Sequence, residues 1–132
     1  MDGIYKSDYN NTPIYSTHFE ATSARKASPS FDQPDLKAKF ILKVKAPEDF
    51  IVLSNSSVKE KIGTTYTFNT TKPMSTYLVA FVVGKLDFIQ TTSNNNIPIK
   101  IYADKEDLFT ANFALKVAKE ALDFFERYFE IK

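Results

Sequence analysis

The apolar residues of this chain change period once, and that change limits what it can fold into. As far as Ala103 they alternate with polar residues or run in short β-branched stretches. From Phe113 to Phe129 they recur at i, i+3 and i+4. Period two marks a half-buried strand and period 3.6 an amphipathic helix, so the pattern predicts a mainly β module followed by one α-helix. The best boundary candidate is near Ile97, dividing residues 1–96 from 97–132.

Within the β part, Ala38, Phe40, Leu42 and Val44 point one way and Lys37, Lys39 and Lys43 the other, which predicts a half-buried strand with a lysine-rich outer face. Pro47-Glu48-Asp49 marks a turn, and Ile51-Val52-Leu53 reads as a short strand ending at Ser54-Asn55. Gly63 separates Val58-Lys59-Glu60 from a Thr/Tyr/Phe-rich run, the pattern of a hairpin. Tyr77 to Val83 is continuously apolar and reads as a strand covered on both faces. Leu86, Phe88 and Gln90 continue the β pattern; Ser93 to Asn96 is a turn; Ile97, Ile99 and Ile101 begin another alternating strand.

The helix, capped by Asp107 or Thr110, carries Phe113, Val117, Ala118, Leu122, Phe124, Phe125, Tyr128 and Phe129 on one face. Lys116, Lys119, Glu120, Asp123, Glu126 and Arg127 take the other. Lys116–Glu120 and Asp123–Arg127 are spaced for ion pairs worth about 0.2–0.5 kcal/mol each. An aromatic face this wide needs a partner, which is expected in sequence beyond this chain.

Several functions are excluded by what the chain lacks. With 17 basic and 16 acidic residues it has no basic stripe for nucleic acid. No apolar run reaches the ~18 residues that span a bilayer. Without cysteine, and with His18 as the single histidine, there is neither a cysteine zinc site nor an H-E-x-x-H pair, so no metal ligands and no catalytic group are expected within the chain. Glycine only at positions 3, 63 and 84 leaves no phosphate loop. N-x-S/T triplets at Asn10, Asn55 and Asn69 do not decide localisation.

Two small constellations remain. In an extended segment His18 and Glu20 share a face at i, i+2 spacing; a surface acid beside an imidazole is the plain reading. Arg25 and Asp32 flank a turn bracketed by Pro29 and Pro34, where an ion pair or hydrogen bonds would fix the turn.

These residues also carry a resemblance. Thr17-His18-Phe19-Glu20 is similar to the T-Q-x-E segment of M1 zinc aminopeptidases, and Ala24 to Pro34 resembles their A-R-x-A-F-P-C-F-D-E-P turn. That turn keeps Arg25, both prolines and Phe31-Asp32, with Ser28, Ser30 and Gln33 at the changed positions. Met74-Ser75-Thr76-Tyr77-Leu78-Val79-Ala80-Phe81, Ile97 to Ala103 and Phe125 to Ile131 extend the likeness over nearly the whole chain, closest in flavour to the cytosolic puromycin-sensitive branch.

The resemblance implies an antiparallel, sandwich- or saddle-like β domain (residues 1–96) and the first strand and helix of a thermolysin-like catalytic domain (97–132). It implies a parent enzyme that uses zinc to remove N-terminal residues from peptides, in the cytoplasm. Glu20 would anchor the substrate's α-amine, with His18 at the family's Gln position and Arg25, Asp32 and Pro34 as a structural turn. The missing catalytic domain would pack on the Phe113–Phe129 helix. The G-x-M-E-N loop, H-E-x-x-H and distal zinc-binding Glu do not occur, so a fragment without a zinc site, inactive alone, is expected. The alternative is a non-catalytic β-rich binding module, or an M1 paralogue that has lost catalysis.

Overall fold

Alternating sequence becomes antiparallel sheet. In a computed structural model of the chain, which describes residues 2–9 and 12–130, the order is β1 (Gly3–Tyr9), β2 (Thr12–His18), β3 (Lys43–Lys45), β4 (Ile51–Ser54), β5 (Val58–Ile62), β6 (Thr65–Phe68), β7 (Phe81–Gly84), β8 (Asp87–Thr92), β9 (Pro98–Ala103) and α1 (Ala111–Tyr128). The strand pairs are antiparallel. The chain is thus mainly antiparallel β with one C-terminal helix. It divides into two compact units, residues 1–85 and 86–132. Ile97, where the sequence marks a change of organisation, lies in the turn between β8 and β9.

The first unit holds two sheets, ordered β1-β2-β7-β4 and β3-β6-β5. Val52 of β4 and Val83 of β7, paired across the ladder, meet Tyr66 and Phe68 of β6 with Ala46 and Phe50 in one buried cluster. Burying each large apolar side chain contributes roughly 1.5–3 kcal/mol, so this junction of the two sheets is the main source of cohesion. Tyr66 stays compatible with burial because its hydroxyl donates to the Phe50 carbonyl at 3.1 Å. Gly63 turns β5 into β6 at φ +54°, a left-handed conformation in which a side chain is strained.

Two strands are shorter than their patterns predict. Of the stretch from Lys37 to Val44, only Lys43 onward forms a regular ladder. Upstream the chain still runs beside residues 68–74: Phe68 N–H donates to the Leu42 carbonyl, Thr71 N–H to Phe40, and Ala38 exchanges bonds with Met74. Phe40 N–H, however, goes to the Thr71 hydroxyl, and Pro73 has no N–H to offer, so the ladder is interrupted.

The run Tyr77 to Val83 is not one strand covered on both faces. Thr76–Leu78 form a 3-10 turn, Leu78 is 48% exposed, and the strand starts only at Phe81. The reason is a side chain. Asn55 donates its amide N–H to the Leu78 carbonyl and accepts from Ala80 N–H, replacing the strand partner that β4 would otherwise provide. Ladder pairing between β4 and β7 therefore begins at Ser54 opposite Phe81.

In the second unit the β8–β9 hairpin packs with α1. Ala111 is buried and Leu115, Ala118, Lys119, Leu122, Asp123 and Glu126 are half-buried. The hairpin turn reaches the residues expected on the polar face. Asn94 N–H donates to Asp123 at 2.7 Å, Asn95 Nδ2 to Glu126 at 3.1 Å, and Lys119 Nζ to both Asn94 Oδ1 and Asp123. Asp123 accordingly pairs with Lys119 instead of Arg127; its carboxyl is held below the usual range chiefly by the Asn94 N–H, then by Lys119. Lys116–Glu120 forms only at 3.9 Å. Thr110 occupies the N-cap, yet its hydroxyl donates back to the Asp107 carbonyl and caps no helical N–H.

The aromatic residues stay outside. Phe113, Phe124, Phe125, Tyr128 and Phe129 are 50–76% exposed, and the last four of these rings contact one another along the helix, stacked or edge-on. Among the described residues no helix is long and apolar enough to cross a membrane.

Candidate functional site

The candidate segment leaves the sheet at the end of β2. His18 is the last residue of that strand and its side chain is exposed; Phe19 turns inward, only 6% exposed; Glu20 turns out again. Alternation thus places His18 and Glu20 on the open side and uses Phe19 as the anchor beneath them. The Glu20–Ala21 peptide bond is cis. Ser23 N–H donates to the Phe19 carbonyl at 2.8 Å, tightening the turn that leads into a 3-10 segment, Ala24–Lys26. No hydrogen bond or ion pair engages the Glu20 carboxylate among the described residues, which leaves its oxygens available to a cation.

What holds this turn is Asp32. Its side chain is wholly shielded from solvent, and its backbone sits at φ +51°, a region that Asp and Asn tolerate better than most residues. Oδ2 accepts from the Arg25 backbone N–H at 2.9 Å and from Arg25 Nε at 3.0 Å. Oδ1 accepts from the Ser30 and Thr76 hydroxyls, each at 3.0 Å. Burial works against ionisation, but the Arg25 N–H and guanidinium with the two hydroxyls outweigh it and hold the carboxyl at about 2. Arg25 also donates to the Phe31 carbonyl at 3.1 Å, and the Pro34 carbonyl accepts from the Ser75 hydroxyl.

Arg25 is thus bonded to Asp32, and Pro34 to Ser75. Ser30 and Thr76 are partners that sequence reasoning missed. Ser30 had a local signal, two residues before the acid; Thr76 is 44 positions away and gives none. A second tie joins Asp2 to the Ser23 hydroxyl and to Lys26.

A cleft of about 380 Å³ lies behind the turn, lined among others by Phe19, Ala24, Phe31, Phe40 and Val79. Neither His18 nor Glu20 lines it, and the Asp32 carboxylate oxygens are already taken. Among the described residues no group of three or more His, Cys, Asp or Glu is placed to hold a metal ion. The residues of the turn do not fit zinc, since Asp32 is occupied by four donors.

Comparison with known proteins bears on the same residues. A sequence model of the Peptidase M1 N-terminal domain matches residues 1–78. The chain is 42% identical over 135 residues to the probable M1 family aminopeptidase 1 of Encephalitozoon cuniculi, covering 98% of this chain and 16% of the relative. It is 39% identical over 142 residues to the alanine/arginine aminopeptidase of Saccharomyces cerevisiae (100% of this chain, 16% of the relative). With human glutamyl aminopeptidase it shares 36% over 136 residues (96% and 14%). The chain spans about one-sixth of the length of these relatives. A β domain of this pattern, with the match running through β1, β2 and the Asp32 turn, places the chain in the M1 peptidase family.

Proposed function

We propose that this chain serves an aminopeptidase by presenting Glu20 to the free α-amine of a peptide substrate. The observation that carries the reading is the exposed, unpaired Glu20 carboxylate on a turn fixed at both ends. A protonated amine offers three N–H donors, and a carboxylate accepts them in charge-assisted bonds worth about 1.5–3 kcal/mol. A peptide lacking that amine forfeits the contact, so the enzyme would act at the first residue. His18, beside it on the open side, would border the same amine-binding region at the position where the family's segment carries Gln.

Chemistry at the peptide bond, with the zinc that the family relationship implies, falls to residues other than those described here. We place residues 97–132 at the start of the catalytic domain, with the exposed aromatic face of α1 covered by that domain. The conversion of the family's Cys to Ser30 argues against decay of the turn, because the hydroxyl supplies Asp32 with a bond.

The test is Glu20→Ala in the enzyme that carries this chain. The change should lower kcat/KM on free-amine substrates about ten- to a hundredfold and leave metal content unchanged. Activity within twofold of wild type would return Glu20 to the role of a solvated acid.

A further inference from the structure

We propose that Asp32 is a positioning residue for Glu20, fixing through Arg25 the downstream end of the turn that presents the amine-binding carboxylate. The proposal rests on the amine-anchoring reading of Glu20 and adds to it the part that sets where that carboxylate stands.

The contacts form a closed circuit. Strand β2 pairs with β7 through Tyr15–Val83 and Ser16–Val82, and Thr17 Oγ1 accepts from Phe81 N–H at 3.0 Å, which fixes the upstream end of the turn. From His18 the chain passes Glu20 and reaches Arg25, whose backbone N–H and Nε both end on Asp32 Oδ2. Asp32 Oδ1 takes the hydroxyl of Thr76, just upstream of β7, and so returns the circuit to the strand on which β2 is registered. Ser75, bonded to the Pro34 carbonyl, ties the same two segments again.

Asp32 has no exposed side-chain surface and therefore cannot touch a substrate itself. It can act only through the segments it joins. The other tie on the turn, Lys26 with Asp2, is about half exposed at both partners and is correspondingly weak. Removing the carboxylate takes away two of the bonds that Arg25 makes across the turn and leaves its bond to the Phe31 carbonyl, the Ser23–Asp2 bond and that surface pair. Displacements of about 1 Å in a binding group are enough to cost up to a hundredfold in catalytic efficiency.

The experiment uses the enzyme that carries this chain, with Asp32→Asn, Glu20→Ala and the double variant. Asn keeps the positive-φ backbone and one acceptor, so it removes the charge while asking least of the fold. Two readouts are taken: kcat/KM on an aminoacyl substrate, and the ratio of inhibition constants for an inhibitor with an α-amine and its des-amino counterpart. A general structural loss weakens both inhibitors alike; misplacement of Glu20 weakens only the first.

The expected result is a fall of about tenfold in the amine preference for Asp32→Asn. Adding Asp32→Asn to Glu20→Ala should then cost less than about threefold more, because the carboxylate that Asp32 positions is already gone. An unchanged amine preference, or fold-losses that multiply in the double variant, would overturn the positioning role and leave Glu20's own role standing. A Glu20→Ala enzyme with wild-type efficiency would overturn both readings. If Asp32→Asn does not fold, Thr76→Val takes its place, since it deletes a single donor with little change of shape. Full amine preference in that variant would likewise overturn the proposal.

Discussion

Replacing Phe68 by alanine tests where the stability of the first unit resides. Phe68 is the largest fully buried side chain among the described residues, and it lies where β6 meets the other sheet, in one cluster with Phe50, Val52 and Val83. Deleting a buried ring removes its transfer free energy and leaves a cavity that neighbours fixed by two ladders fill poorly, a loss of about 3–5 kcal/mol. Against a total of roughly 5–15 kcal/mol for a domain, that is about a fifth or more. For a unit of this size it corresponds to a fall in Tm on the order of 15 °C or more.

The internal control is Phe113→Ala on α1, where the ring is 76% exposed; it should change stability by no more than about 0.5 kcal/mol. Urea unfolding can be followed by near-ultraviolet circular dichroism and tyrosine emission, because the chain has 7 Tyr and no Trp. A loss below about 1 kcal/mol for Phe68→Ala, or one no larger than the control's, would refute the argument that the contact between sheets holds the unit together.

Two further outcomes are expected. Asp32 ionises at about 2 when folded against an ordinary 3.8, so the stability it provides is complete above the higher value and is lost as pH falls toward the lower; urea midpoints between pH 5 and pH 2 (roughly) should decline for wild type and flatten for Asp32→Asn, and equal slopes would contradict the assignment. Changing Phe124, Phe125 and Phe129 to polar residues should reduce dye binding and self-association of the isolated chain with little change in unfolding midpoint, whereas a marked destabilisation would mean that these rings pack within it.

What the sequence made legible was set by local pattern. The β4 strand, the Gly63 hairpin, the β8–β9 hairpin and the helix each occupy a short window with one period, and each formed within a residue or two of its pattern. The β1–β2 hairpin carries polar and aromatic residues on both faces, with Ile4, Tyr9 and Tyr15 exposed, so no period announced it. Lys37 to Val44 and Tyr77 to Val83 misled because hydrogen bonds to the Thr71 and Asn55 side chains intervene, and neither is visible in apolar spacing. On the helix only the polar face misled: Lys119, Asp123 and Glu126 turn toward the hairpin and bond it, while the rings stay exposed. At the site, Arg25 and Asp32 could be paired from proximity in sequence, while Thr76 could not.

Asn55 shows how little is needed to decide where a sheet ends. A primary amide carries a donor and an acceptor in one plane, as a peptide unit does, so its side chain serves as one extra rung beside residues 78–80 without extending the backbone. The punctuation of β7 is therefore written in a functional group on another strand's terminus, and it can be erased by exchanging NH₂ for O. Hydrolysis of that amide to a carboxylate, a form of chemical ageing, would set an anionic oxygen against the Leu78 carbonyl. The half of the rung that holds Leu78 would be lost, and the 3-10 turn that begins at Thr76, itself bonded to Asp32, would lose that restraint.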